Sequence, residues 1–217
     1  VGSTMDEAHA LAASGASAGT LVVAERQEAG RGRSGKRWTS ATRAGIWATL
    51  IERPRDAKAI EVLSLRVGLR LARVLERWTE APIGLKWPND LFVGPRKLAG
   101  VLIEARWREQ RPDWVAIGVG VNLVLPPEQD DATALRDADA LEVLAEMLPA
   151  LRAAAFATGA LSEAECAEFA RRDIAFGRGV LEPRPGTARG ITADGALLIE
   201  SNGTLTPLRA GSLVFSP

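Results

Sequence analysis

One cysteine, one histidine and a net charge of zero limit the chemistry open to this chain of 217 residues. The lone Cys166 has no partner for an internal disulfide and leaves no cysteine pair to hold zinc. His9 stands alone, so a histidine-based metal cluster or a two-histidine mechanism is excluded within one chain. With 27 basic and 27 acidic residues there is no global drive toward nucleic acid or an anionic membrane, and only local patches can act that way. No run approaches the roughly 18 apolar residues of a transmembrane helix. Val1 to Glu7 lacks the basic-then-apolar order of a secretory signal. The expected compartment is the reducing cytoplasm. Neither a GxxxxGK[ST] phosphate loop nor a GxGxxG in a strand–helix fingerprint occurs, and nothing activates Ser3 as a hydrolase nucleophile.

What is present is an ordinary globular composition, 47% hydrophobic and 25% charged. A short helix is expected over Asp6–Ala13, with Thr4 as its cap. Thr20–Ala24 reads as a buried strand and Ile46–Leu50 as another. Ile60, Leu63, Val67, Leu71, Val74 and Trp78 recur at helical steps, with Glu61, Arg66, Arg70, Arg73 and Arg77 mostly off that face. Leu98–Ala105 and Val115–Leu123 read as strands, and Gly118 and Gly120 leave space beside the sheet. Helices are expected over Asp139–Ala157, with Pro149 as a break or bend, and over Glu163–Arg172. Short glycine-punctuated strands follow, with hairpin pairs at Asp194-Gly195 and Asn202-Gly203. This predicts a main domain of helices on a mixed sheet over residues 1–172, and a small β domain over 173–217.

Two segments carry chemistry. In Gln27-Glu-Ala-Gly-Arg-Gly-Arg-Ser-Gly-Lys-Arg-Trp38, the cations Arg31, Arg33, Lys36 and Arg37 fall within seven positions, interleaved with glycines. Glycines let backbone amides turn toward an anion, arginines bridge its oxygens, and Trp38 offers an aromatic face to a base. A solvated basic loop and an RNA-binding patch are the competing readings. In Gly84-Leu-Lys-Trp-Pro-Asn-Asp-Leu-Phe-Val93, Lys86 lies between Leu85 and Trp87. A lysine drawn toward an apolar sheet needs a partner or an anionic ligand. The plainer alternative has Lys86 reaching solvent and Asp90 holding the turn. Arg96-Lys97-Leu-Ala-Gly100 adds charge before a strand, Glu104 is a candidate counter-charge, and Asn122 ends the Ile117-Gly-Val-Gly-Val-Asn122 run. Cys166 and His9 read as structural.

These stretches, together with Gly2-Ser3-Thr4, resemble the bacterial biotin protein ligases of the monofunctional type, without a DNA-binding domain. The likeness covers nearly the whole chain. It implies an α+β fold: a mixed β-sheet packed with helices, the class II synthetase-like catalytic domain of biotin and lipoate ligases, plus a small C-terminal SH3-like β-barrel. It implies ATP and biotin as substrates, with Mg²⁺ on the phosphates. Biotin becomes biotinyl-5′-adenylate, pyrophosphate leaves, and biotin passes to a lysine of a biotin carboxyl carrier domain of a carboxylase. Carried over position by position, the resemblance puts Ser3, Thr4, Gln27, Gly30, Arg31, Arg33, Lys86 and Gly100 at biotin. It puts Arg31, Arg33, Trp38, Lys86, Asn89, Lys97 and Asn122 at ATP or adenylate. Lys86 and Arg33 are the catalytic expectation, and Asp90 and Asn122 the Mg²⁺ expectation. A homodimer is expected as one option; DNA and membrane are not expected as partners. Met5 departs from the family's usual asparagine, and Ala41 from its proline. A lipoate or octanoate ligase and a catalytically weak biotin- or adenylate-binding module are the alternatives.

Overall fold

The computed structural model describes residues 1–38, 41–54, 56–125 and 130–216. Helix α1 (Thr4–Ala13) starts at Ser3, whose hydroxyl accepts from the Met5 N–H at 3.2 Å, so Ser3 rather than Thr4 is the cap. Strands β1 (Leu21–Ala24), β2 (Gly45–Glu52), β3 (Ile83–Lys86), β4 (Asp90–Val93), β5 (Arg96–Arg108) and β6 (Arg111–Asn122) form one sheet in the order β1-β2-β6-β5-β4-β3. Every ladder in it is antiparallel. The consecutive strands β3 to β6 are joined by turns too short for a crossover. Among the described residues, parallel pairing enters only through isolated bridges, Leu85 to Asp173 and Lys97 to Ala132, so the sheet is mixed only in that sense. The expected buried strand at the start is an edge: Val23 is 50% exposed.

Alternation along the strands separates two faces. Ile46, Ala48 and Leu50 of β2, Val101 of β5, and Val115, Ile117, Val119 and Val121 of β6 enter the main core. Helix α3 (Leu63–Leu75) and helix α4 (Ala140–Phe156) close that side. The expected continuous helix is divided: α2 (Ala57–Glu61) ends at Val62, where α3 begins. Arg66, expected off the buried face, is one of the largest fully buried side chains. Helix α3 is covered on more than one side, and Arg66 reaches toward helix α5 (Glu163–Arg172). There it donates to Glu165 Oε1 at 2.8 Å and to the Ala160 carbonyl at 2.8 Å. Pro149 does not break α4. It lies on the exposed side of the helix with Ala145, whose carbonyl loses its helical donor where solvent is at hand.

The last five strands, β7 (Gly179–Glu182), β8 (Gly186–Ile191), β9 (Leu197–Ser201), β10 (Thr204–Leu208) and β11 (Val214–Phe215), form an antiparallel sheet in the SH3-like order β10-β9-β8-β7-β11. Asn202 and Gly203 both have positive φ, as the Asn-Gly hairpin signal requires. This sheet is seated on the first. The Trp87 indole donates to the Gly195 carbonyl at 3.0 Å, Leu161 N–H to the Ala193 carbonyl at 2.8 Å, and Ile174 N–H to the Leu85 carbonyl at 3.1 Å. Apolar side chains of both sheets belong to one core.

Candidate functional site

The second face of the large sheet carries the site. Strand register aligns Lys86 with Asp90, Asp90 with Gly100, Gly100 with Gly120, and Gly120 with Trp47. Cross-strand partners share a face, so one row crosses five strands with a cation and a carboxylate at one end. Two bare glycines sit in its middle. Their missing side chains make room for the indole of Trp38. A Cβ on Gly120 would meet Trp38 Cε2 at 2.6 Å, and one on Gly100 would meet Cζ3 at 2.9 Å. The next row pairs Thr49 with Gly118 and Gly118 with Leu102, and the Met5 methyl fills the space over Gly118.

Above these rows lies a cavity of about 200 Å³. At one side is a buried chain of hydroxyls. Thr49 Oγ1 donates to Thr4 Oγ1 at 2.9 Å, and Thr4 Oγ1 donates to Gln27 Oε1 at 3.1 Å. Gln27 Oε1 also accepts from the Thr4 N–H at 2.8 Å. Such a fixed set of donors and acceptors, walled by Met5, Leu102 and the Trp38 indole, suits a compact ligand with a polar head and an apolar body.

The rest of the wall is cationic: Arg33, Lys36, Arg37, Lys86 and Lys97 line it, with Asp90 the only carboxylate among the described lining residues. Lys97 Nζ lies 2.7 Å from Asp90 Oδ1, an ion contact outside hydrogen-bond angles, since that oxygen is buried without a hydrogen-bond partner. Lys97 also sits 5.0 Å over the Trp38 ring. Lys86 has no carboxylate at ion-pair distance among the described residues; its Nζ lies 5.0 Å from the Phe215 ring centre and 5.8 Å from that of Phe92. Burial pushes the Lys86 ammonium below the usual lysine range; Asp90 opposes this, and Lys97, Lys36 and Arg178 add to it. Burial likewise lowers Arg33, against the pull of Asp90. A desolvated ammonium among other cations is a site awaiting an anion.

The expected residues do not all converge. Ser3, Thr4, Gln27, Arg31, Arg33, Trp38, Lys86, Asn89, Asp90, Lys97 and Gly100 line the cavity. The Arg31 guanidinium is committed elsewhere: it pairs with Asp6 and donates to Glu104 Oε1 at 2.9 Å. Glu104 in turn contacts His9 Nε2 at 3.0 Å, and His9 Nδ1 accepts from the Trp114 indole at 2.9 Å. Glu104 is therefore the counter-charge of Arg31, and His9 is structural. Asn89 braces the sheet, donating to the Val101 carbonyl at 2.8 Å. Gly30 and Asn122 stand outside the wall. The Gly30 carbonyl accepts from the Trp38 N–H at 2.9 Å, and the Asn122 amide donates to the Thr133 carbonyl at 3.0 Å. Thr49, Ser212 and Leu213 are wall residues the sequence pattern did not single out. Thr49 was visible only as one hydroxyl inside an apolar strand. The letters GxSxG at Gly15–Gly19 escape that reading too. They lie in turns between helix and strand, the reverse of a nucleophile elbow, and the Ser17 carbonyl merely accepts from Thr20.

The Biotin/lipoate A/B protein ligase family matches residues 2–122. This chain belongs to that family. The biotin--[acetyl-CoA-carboxylase] ligase of Mycobacterium tuberculosis is 33% identical over 232 residues, covering 98% of this chain and 85% of the relative. The bifunctional ligase/repressor BirA of Salmonella typhimurium is 32% identical over 212 residues, 90% of this chain and 66% of that protein. The chain thus spans just under two thirds of that relative, and 44% of the Bacillus subtilis BirA. Among solved structures, the biotin protein ligase from Aquifex aeolicus in complex with biotin and ATP superposes with a TM-score of 0.79. It is 27% identical, with 99% of this chain and 94% of that chain covered. The α+β architecture with its SH3-like terminal sheet is that of the family. Among the described residues, no helix is long and apolar enough to cross a membrane.

Proposed function

We propose that this chain activates biotin with ATP to biotinyl-5′-adenylate, releasing pyrophosphate, and then passes biotin to a lysine of a biotin carboxyl carrier domain. The observation that carries this is the union, in one cavity, of the Thr49–Thr4–Gln27 hydrogen-bond chain with the uncompensated Lys86 ammonium. The first suits an uncharged polar head such as a ureido ring; the second suits the carboxylate at the other end and the α-phosphate it attacks. Ser3, Thr4, Gln27 and Gly100 are assigned to the biotin side, and Arg33, Trp38, Lys86 and Lys97 to the adenylate side. Lys86 and Arg33 stabilise the negative charge that develops as the carboxylate oxygen bonds to the α-phosphorus. In the second step the carrier amine attacks the activated carbonyl, and AMP leaves.

The donor set fits Mg²⁺ only as a companion of the phosphates. Asp90 is the one wall carboxylate, Asn122 is engaged with Thr133, and the described residues hold no cluster of three acidic, His or Cys ligands. One carboxylate plus substrate phosphates is an ordinary Mg²⁺ environment. Mg²⁺ would screen phosphate charge there. We assign residues 1–172 to the catalytic unit and 173–217 to the terminal β unit, and place the enzyme in the cytoplasm.

Pyrophosphate exchange into ATP, with biotin, lipoate and octanoate as separate substrates, tests this reading. Biotin-dependent exchange is expected, and Lys86→Met should lower it by about 10²–10³-fold. Because burial already penalises the Lys86 charge, that variant should keep or raise the melting temperature of the ligand-free protein. Exchange with lipoate alone, or none in the folded wild type, would refute the assignment.

A further inference from the structure

Met5 is the apolar member of an otherwise polar helix start. Ser3, Thr4 and Met5 all line the cavity; the first two bring hydroxyls and the third a thioether. Met5 is only 3% exposed. Its N–H is bonded to the Ser3 hydroxyl at 3.2 Å, so its backbone is fixed while its unbranched side chain reaches over the sheet. The Met5 methyl comes 2.7 Å from the point where a Cβ on Gly118 would stand, and Leu102 Cβ lies 3.7 Å from the same point. Register sets Gly118 beside Thr49 on one side and Leu102 on the other. One strand spacing, about 4.8 Å, therefore separates the hydroxyl end of the cavity from a patch of thioether, bare backbone and leucine.

That patch has no hydrogen bond to give. A thioether and a leucine carry no polar hydrogen. The backbone groups of Gly118 and Leu102 lie within the β2, β6 and β5 ladders, and the Met5 N–H is taken by Ser3. Thr49 and Thr4 are already linked to each other and to Gln27. A rigid bicycle that offers one ring to the hydroxyls lays its other ring about one strand away, on this patch. In biotin that second ring is a tetrahydrothiophene, whose sulfur needs no partner. One oxygen added to the sulfur makes it a strong acceptor, and a buried acceptor without a donor is costly.

We propose that Met5 is a specificity-determining residue: it closes the second-ring side of the pocket with an apolar wall that admits biotin and rejects biotin sulfoxide. The hydroxyl chain reads the head of the ligand, and Met5 reads the oxidation state of the ring sulfur. Size is not the filter, because one oxygen is small and a thioether over a bare glycine yields easily. Rejection comes from the acceptor left without a partner. The inference deepens the ligase reading and rests on it for the choice of ligand.

The experiment titrates the full chain with biotin and with biotin sulfoxide by calorimetry, and takes the ratio of the two dissociation constants for each variant. That ratio does not depend on the fraction of active protein. In the wild type the sulfoxide should bind roughly 10–100-fold more weakly, as for one acceptor buried without a donor. Met5→Gln has nearly the same length and an amide that can donate, and it should narrow the ratio by about tenfold. Met5→Leu keeps the wall apolar and should hold the ratio within about twofold of wild type, whatever it does to the separate affinities. Met5→Asn is the second amide variant; it should narrow the ratio in the same direction and decides the matter if Met5→Gln does not fold. An unchanged ratio in the amide variants would overturn the proposal and leave the ligase reading intact. So would a wild type that binds the two ligands equally, or a Met5→Leu that narrows the ratio as far as the amides do. A folded wild type that binds no biotin would overturn both.

Discussion

Gly120→Ala puts the glycine floor of the site to a quantitative test. The added Cβ would lie 2.6 Å from Trp38 Cε2 and 2.8 Å from both Cζ2 and Nε1. Carbon atoms prefer about 3.5–4.0 Å, so the indole must retreat by roughly 1 Å. It has little room to do so. Its edge meets Trp47 with ring centres 6.3 Å apart, Lys97 sits over its face, and its backbone N–H is bonded to the Gly30 carbonyl. Overpacking of this kind costs about 1–3 kcal/mol, offset by about 0.5–1 kcal/mol because alanine loses less chain entropy than glycine in a strand. For a chain of this size each kcal/mol moves the melting temperature by about 2–4 °C. A fall of several degrees is expected. Displacing a wall of the reaction site by about 1 Å should also cost on the order of 10²-fold in exchange rate. Gly118→Ala is the comparison. Its Cβ would meet the Met5 methyl at 2.7 Å, but that is the free end of a flexible side chain that can rotate away. Scanning calorimetry and pyrophosphate exchange on both variants decide the matter. Equal behaviour of the two, or an unchanged Gly120→Ala enzyme, would show that Trp38 is not a fixed wall.

Thr4→Val should weaken biotin binding by about tenfold, because it removes the hydroxyl that links Thr49 to Gln27 and strands the Thr49 hydroxyl in the cavity; isothermal titration with biotin measures the dissociation constant, and unchanged affinity would remove Thr4 from the biotin side. Glu165→Ala should destabilise the fold by about 3 kcal/mol, since it leaves the Arg66 guanidinium, 2% exposed, without its carboxylate. Arg66→Met should cost less, and chemical denaturation of the two variants gives the order. The Arg172 guanidinium holds the Glu76 carboxyl below its ordinary value of 4.5, and Arg73 does the same for Glu168. Folded values below unfolded ones mean that this stability is fully present above about pH 5 and is lost as the pH falls through the folded values. The melting temperature should thus decline on acidification below that point, and less steeply in Glu168→Gln.

Local signals carried far along this chain. The Asn-Gly hairpin, the Glu163–Arg172 helix and the two long strands follow from turn chemistry, capping and apolar runs, all encoded within a few residues. What escaped was set by distant contacts. Periodicity assigns one buried face to a helix, but α3 is covered on several sides, and Glu165, 99 positions away, together with the Ala160 carbonyl, makes a buried Arg66 tolerable. Pro149 reads as a break until its solvent-facing position is known.

The site shows the same division. Lys86, Asp90, Gly100 and Gly120 were each conspicuous as residue types in the sequence, yet nothing local says that they form a line. Register does that, and register depends on four separate strand pairings. A slip of one residue between β5 and β6 would turn a glycine's bare face away from Trp38, and a slip in the β3–β4 or β4–β5 pairing would turn Lys86 away from the row. The apolar alternation that builds the core on one face therefore also fixes the floor of the site on the other. Val119 and Val121 enter the core because Gly118 and Gly120 do not, and Ala99 and Val101 flank Gly100 in the same way. Folding and function are thus read from one pattern. The glycines that make space for the cavity-lining indole are held in place by the burial of their immediate neighbours.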